Sequence, residues 1–294
     1  MHPAPHPELL AAIGQATDLI LNESDCQPVA GGDISSAFRC VDRRNRAWFL
    51  KLNRIEFADA FAAEQAGLEE LQQVDGIRVP RARGSGITDA QSWLLLEWLD
   101  LQPPGTASAE QLGNALAGMH RITAECCGNH RDNYIGATPQ LNTDTADWVM
   151  FYCAQRLRPQ LQLAAQNGAP ADFSAAGEAL LSALPEKLAG YTPAASLLHG
   201  DLWSGNVAQL PDGYPAIFDP AVYYGDRETD LAMTRLFGGF PPQFYAAYEA
   251  AWPLDDGHEY RLQLYQLYHV LNHYNLFGGA YLAQAARMLD TLLV

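Results

Sequence analysis

Positive charge is scarce: 18 Lys and Arg stand against 34 Asp and Glu in 294 residues, a formal net charge of −16. A surface so short of basic groups does not suit a nucleic-acid backbone. It does not bar a nucleotide, which one local site with a metal ion can hold. Cysteine is sparse and odd in number (Cys26, Cys40, Cys126, Cys127, Cys153), with no CxxC spacing. That argues against a disulfide framework or a structural zinc site and for a reducing compartment. The vicinal pair Cys126–Cys127 suits a redox-active pair or, in keeping with the preference of free Cys for burial, two small residues buried at a helix end. No apolar run approaches the ~20 residues of a bilayer span. The opening Met1-His-Pro-Ala-Pro-His-Pro lacks a basic segment followed by an apolar one, so no secretory signal is expected. Repeats and low-complexity tracts are also missing. The expectation is a soluble cytoplasmic protein with no membrane or nucleic-acid partner. With 48% apolar and 18% charged residues the chain is not disordered, and its length suits one large domain or two lobes.

Hydrophobic period divides the chain into two unlike parts. Residues 8 to about 22 carry Leu9, Leu10, Ile13, Leu19 and Ile20 at helical spacing. Two short apolar runs flank a glycine turn within Val29–Val41, and Arg46–Leu52 reads as a third strand. Phe57–Val74 reads as a helix, and Ala82–Ile87 and Trp93–Glu97 as two further strands. The order suits a small antiparallel sheet with one helix packed on it. Beyond Pro103-Pro104-Gly105 the pattern turns helical, over Ala109–Ile122, Thr145–Gln166, Phe173–Leu188, Pro242–Ala251, Glu259–Leu276 and Ala280–Leu293. The loop-rich stretch Leu197–Asp230 lies among them. The organisation expected is an N-terminal lobe over 1–98, a linker over 99–106, a helical lobe over 107–294, and a cleft between the lobes. The fold class is α+β.

The strongest chemical signal is Leu197-Leu-His-Gly-Asp-Leu-Trp-Ser-Gly-Asn-Val207, followed by Ala216-Ile-Phe-Asp-Pro220. Asp201, Asn206 and Asp219 each follow an apolar run, where a strand end or tight loop faces a cleft. Oxygen donors of this kind suit Mg²⁺, which takes one or two carboxylates, an amide oxygen and substrate phosphates. Phosphoryl transfer also needs a carboxylate to orient the acceptor hydroxyl and take its proton.

The His-x-Asp-x4-Asn loop with an Asp thirteen residues later resembles the bilobal protein-kinase-like fold, in its aminoglycoside and choline kinase branch. His199-Gly-Asp-Leu-Trp-Ser-Gly-Asn206, with its Trp, resembles the fructosamine/ketosamine-3-kinase family more narrowly. Gly128-Asn-His-Arg-Asp-Asn-Tyr-Ile-Gly136, Gly225-Asp-Arg-Glu-Thr-Asp-Leu-Ala-Met233 and Gln266–His273 agree, and the similarity runs from about residue 10 to the C-terminus. The resemblance implies ATP and Mg²⁺, with Asp201 as catalytic base and Asn206 and Asp219 as metal ligands. Lys51 resembles the strand lysine on the nucleotide phosphates, and Glu64 its ion-pair partner. Gly31, Gly32, Ser35 and Ser36 lie where the phosphate-covering loop belongs. Relatives often carry a Cys there, whereas Asp33 stands at that place in this chain. Leu94–Asp100 resembles the linker, whose Glu97 carbonyl and Leu99 amide would meet adenine. His199 reads as packing the loop, and Asp230 as bracing it. Asp226 and Glu228 read as solvated loop charges.

Trp203, two residues after the base, suits stacking on a sugar face or packing in the loop core. His130 and Asn133 suit the substrate side or the ordering of their own loop. The resemblance implies phosphorylation of a small-molecule or protein-bound ketosamine at its sugar 3-hydroxyl. The phosphorylated product is unstable and frees the amine, which makes the reaction a deglycation, and a monomer is expected. An aminoglycoside- or choline-type kinase and a non-catalytic kinase-like module are the alternatives. The second would have lost at least one of Asp201, Asn206, Asp219 and Lys51, and all four are present.

Overall fold

The structure, a computed structural model, describes residues 5–29, 34–88 and 90–294. Helix α1 (Pro7–Thr17) starts with Pro at its first position and the His6 side chain accepting from the Glu8 amide. It buries Leu9, Leu10 and Ile13. It ends at Asp18, which takes a left-handed φ of 56°. The helix expected to run to residue 22 therefore stops early. Its last part belongs to strand β1 (Leu21–Pro28), which exposes most of its polar side chains. An edge strand of this composition has no apolar alternation, and only its ladder to the neighbouring strand defines it.

Strands β2 (Ser36–Asp42) and β3 (Ala47–Arg54), helix α2 (Ala58–Leu71), and strands β4 (Ala82–Ile87) and β5 (Gln91–Glu97) complete an antiparallel sheet in the order β1-β2-β3-β5-β4. Period-two alternation decides what each face buries. Trp93 and Leu95 of β5 join Phe38, Leu50, Leu52 and the α1 residues in one core. Leu94 and Leu96 point the other way, onto α2 and the larger core of the chain. Each fully buried Leu is worth about 1.5–3 kcal/mol, so α2 is held between the sheet and the remainder of the molecule. Cys26 and Cys40 face each other across β1 and β2 and form a disulfide. This corrects the expectation of reduced cysteines throughout. Residues 14 apart in sequence are brought together by strand register, which no spacing motif reports.

The rest is mainly helical. Helices α3 (Thr106–His120), α4 (Trp148–Tyr152), α5 (Arg158–Gln166), α6 (Ala171–Lys187), α7 (Glu228–Thr234), α8 (Pro242–Ala251), α9 (His258–Phe277) and α10 (Tyr281–Leu293) are interleaved with short strands. These are β6 (Thr123–Ala124), β7 (Asn133–Ile135), β8 (Thr138–Gln140), β9 (Ala195–Leu198), β10 (Val207–Gln209), β11 (Pro215–Ile217) and β12 (Tyr223–Gly225). The single helix expected over 145–166 is three pieces, α4, a π-helical turn Cys153–Leu157, and α5 with Pro159 near its start. Pro159 has no N–H to donate, and a π turn accommodates that loss. Among the described residues no helix is long and apolar enough to cross a membrane.

Candidate active site

A cleft of about 1230 Å³ separates the sheet from the helical part. Its upper wall is Val29, Ser35, Ala37, Phe49 and Lys51, its back Glu97, Trp98 and Leu99, and its floor Asp201, Trp203, Asn206 and Asp219. Glu97 and Leu99 thus lie on one wall, and the Glu97 carboxylate is tied to Arg78 at 2.6 Å and to the Arg81 amide. Ser35 also lines the cleft, where its hydroxyl accepts from Asn53 Nδ2 at 3.0 Å. Ser36 starts β2 opposite Leu52. Gly31, Gly32 and Asp33 fall outside the described residues.

Lys51 points from β3 into the cleft. Its Nζ lies 2.8 Å from Glu64 Oε1 on α2 and 2.6 Å from Asp219 Oδ1. Burial alone would lower the pKa of this ammonium, but the two carboxylates outweigh burial and hold it above its ordinary value. Burial pushes the Glu64 carboxyl up, with Lys51 opposing. The expected pairing of Lys51 with Glu64, rather than with Glu69 or Glu70, is thus made. Glu70 instead accepts from Asn129 Nδ2 at 3.1 Å.

The loop 199–206 hangs between β9 and β10. Gly200 takes φ +82°, and a Cβ there would meet the Ala221 carbonyl oxygen at 2.0 Å, so no larger residue fits this turn. His199 is buried, with Nδ1 accepting from the Asp201 amide and Nε2 donating to the Phe218 carbonyl. Burial lowers its pKa, and both ring nitrogens are used in holding the loop. The Asp230 carboxylate accepts from the His199 amide at 2.7 Å and the Gly200 amide at 2.9 Å. Asn206 Nδ2 donates to the Asp201 carbonyl at 2.9 Å, which leaves its amide oxygen as the donor a cation would use. Asp219 takes a left-handed φ of 56°, and its carboxylate meets Lys51 across the cleft. Asp201 is pushed up to about 7, first by burial, then by the charges of Asp219 and Asp230. Two carboxylates, Glu64 and Asp219, thus meet one ammonium, and Asp201 lies near enough to feel the Asp219 charge. The chemistry of this donor set fits a hard divalent cation, which Asn206 and Asp219 could hold.

Trp203 lies in the cleft, half-buried, its ring 6.1 Å from that of Phe237. Phe237, His273, Phe277 and Tyr281 continue the same aromatic wall. Sequence reasoning did not single out these four. His273 lay in the family-like segment ending at 273, but Phe277 and Tyr281 join it at the corner between α9 and α10, and Phe237 comes from the loop between α7 and α8. His273 Nδ1 donates to the His269 carbonyl at 2.8 Å, so its Nε2 is the lone-pair nitrogen at the cleft. Burial lowers its pKa.

His130 is exposed and outside the cleft lining. Asn133 borders the cleft, yet its amide is spent on Val222 O at 2.7 Å and Gln140 Nε2 at 2.8 Å. This segment fastens α2 instead. Arg131 pairs with Asp59 at 2.8 Å, and the Tyr134 hydroxyl donates to the same carboxylate. Asp226 and Glu228 are fully buried rather than solvated. Glu228 makes a two-pronged pair with Arg261, and Asp226 accepts from the Tyr191 and Tyr265 hydroxyls. Cys127 is buried and its thiol pushed up to about 12, chiefly by burial. Such a thiol is inert.

A lysine–glutamate pair under a small sheet, facing an Asp-Asn-Asp floor across a cleft, defines a kinase of the protein-kinase-like fold. The fructosamine kinase family model matches residues 7–294, and the chain belongs to that family. A probable ketoamine kinase of Synechocystis sp. is 41% identical, covering 99% of this chain and 98% of its own. A chloroplastic protein-ribulosamine 3-kinase of rice (Oryza sativa subsp. indica) is 37% identical over 90% of this chain and 78% of its own. The crystal structure of a candidate fructosamine-3-kinase from Thermobifida fusca superposes with a TM-score of 0.86 at 33% identity, over 98% and 99% of the two chains.

Proposed function

We propose that the protein transfers the γ-phosphoryl group of ATP to the 3-hydroxyl of a ketosamine. The observation that carries this reading is the gathering of Lys51, Asp201, Asn206 and Asp219 at one end of a cleft whose other wall is aromatic. Asp201 orients the sugar hydroxyl and accepts its proton as the O3–P bond forms and the bond from phosphorus to the ADP oxygen breaks. Lys51, set by Glu64, draws charge from the phosphates. A magnesium ion on Asn206 and Asp219 would neutralise the remaining phosphate charge. Ser35 meets the phosphates, and the Glu97–Leu99 stretch takes adenine. Trp203 stacks on the sugar, and His273 Nε2 accepts a hydrogen bond from it. The 3-phosphoketosamine decomposes and frees the amine. The amine is that of a small molecule or a protein, and the enzyme works as a cytoplasmic monomer, where ATP is at hand.

An ATP-consumption screen tests the reading. Fructosamine, ribulosamine and erythrulosamine adducts are run beside aminoglycosides and choline. Turnover with the ketosamines is expected. Turnover with aminoglycosides or choline alone would overturn the substrate assignment while leaving a kinase.

A further inference from the structure

Behind the catalytic loop, four buried polar side chains run in line from the loop backbone to the end of α8. Asp230, at the loop, meets His120 Nε2 at 3.2 Å. His120 Nδ1 meets the Tyr248 hydroxyl at 2.7 Å. That hydroxyl accepts from Arg227 Nη1 at 3.1 Å. Arg227 also donates to the Trp252 carbonyl at 3.0 Å and the Pro253 carbonyl at 2.6 Å, and its guanidinium lies 4.1 Å from the Trp252 ring centre. None of the four side chains is appreciably exposed.

One proton order in this chain gives every donor an acceptor. Arginine has donors and no acceptor, so the Tyr248 oxygen must accept from Arg227. Burial pushes the Tyr248 hydroxyl above the ordinary phenol range, so it keeps its proton and donates a hydrogen bond to His120 Nδ1. A second proton on Nδ1 would leave that hydroxyl hydrogen without an acceptor. With Nδ1 accepting, the ring proton sits on Nε2 and points at Asp230. The carboxylate then has three donors, His120 Nε2 and the amides of His199 and Gly200. The two amides belong to the turn that carries Asp201.

We propose that Arg227, Tyr248 and His120 are positioning residues for phosphoryl transfer, a proton-ordered chain that fixes the His120 tautomer and through it the carboxylate from which the catalytic loop hangs. Without the Tyr248 hydroxyl, Nδ1 has no donor and the ring can carry its proton there. Its Nε2 lone pair then faces the Asp230 carboxylate, and the turn before Asp201 loosens. The nucleotide contacts do not pass through this chain.

The test is Tyr248→Phe in the full-length protein. Turnover should fall roughly three- to tenfold, the size of about one hydrogen bond at the barrier, with the KM for ATP close to wild type. Ring ¹⁵N spectra of histidine-labelled protein should show His120 as the Nε2–H form in the wild type and lose that signature in the variant. The spectra are read without substrate, so they hold whichever acceptor the wild type phosphorylates. A second comparison serves if Tyr248→Phe does not fold. His120→Gln, whose amide can reach Asp230 with a donor, should keep more turnover than His120→Leu. Wild-type turnover in Tyr248→Phe, an unchanged tautomer, a matching rise in the ATP KM, or equal losses in His120→Gln and His120→Leu would each overturn the proposal.

Discussion

Asp201 and Trp203 sit two residues apart on one loop and make different kinds of demand on it. As the proposed base, Asp201 must be ionised to take a proton, yet burial and the neighbouring carboxylates push it up to about 7. The sign is direct, because a raised carboxyl pKa means the base is lost on acidification. In the protein without metal or nucleotide the Asp201 carboxyl should titrate well above an ordinary aspartate, and a carboxyl ¹³C titration with its midpoint near 4 would contradict the raised value. Asp201→Asn keeps the size and hydrogen bonding of the side chain but cannot accept the proton. A loss in kcat of at least ~10² is expected, with ATP affinity nearly kept. Trp203 poses a question of packing against recognition. It is half-buried, partly against the core and partly lining the cleft. If it stacks on the sugar, Trp203→Ala should lower the ketosamine kcat/KM roughly ten- to a hundredfold and spare the ATP KM. A core tryptophan would instead cost about 3–5 kcal/mol of stability on truncation and impair both substrates together. Both KM values and the thermal midpoint of one purified variant separate these outcomes.

At the scale of the element, the short turn Ser204–Asn206 fixes where the Trp203 indole lies. A Cβ on Gly205 would sit 2.3 Å from Trp203 Cζ2, so Gly205→Ala must displace the ring. If the ring serves the acceptor, Gly205→Ala should reproduce much of the Trp203→Ala loss in acceptor kcat/KM with little change in melting temperature. A wild-type acceptor KM in that variant would remove the ring from the acceptor site. Elements of this kind also mark where the sequence was legible. The Asp201–Asn206–Asp219 spacing could be read because the chemistry fixes residue types close together in the chain, and Lys51 on β3 with Glu64 one helix later could be read from the family resemblance. The partners of those residues could not. Asp226 and Glu228 resemble solvated charges in sequence, because Tyr191, Tyr265 and Arg261, the groups that hydrogen-bond them, lie 33 to 39 residues away. Strand β1 was missed because its pattern is polar, and the α4–α5 break because helical period persists across a π turn.

For the whole molecule, buried charge sets how stability depends on pH. The Gly225–Met233 segment buries Asp226 and Glu228 in the heart of the helical part. Arg261 answers Glu228 with two hydrogen bonds. Asp226 has only neutral donors, the Tyr191 and Tyr265 hydroxyls and the Glu228 amide. Burial first, and then the Glu228 charge, push it up to about 6 from an ordinary 3.8. In the folded protein Asp226 therefore binds a proton at a pH where the unfolded chain has released it. Between about pH 4 and 6 the folded state holds more protons than the unfolded state. Stability from this group is thus full below about pH 4 and is lost as the pH rises through about 6. Asp226→Asn removes the titration and adds a fixed cost for turning an amide toward the Glu228 N–H. That fixed cost cancels when one variant is compared with itself across pH. The midpoint of Asp226→Asn minus that of the wild type should therefore rise from pH 4.5 to pH 7.5 and stay level above. A difference that is constant across this range, or that falls, would mean that Asp226 is ionised in the fold at every pH tested. The two tyrosine hydroxyls would then be enough to hold its charge.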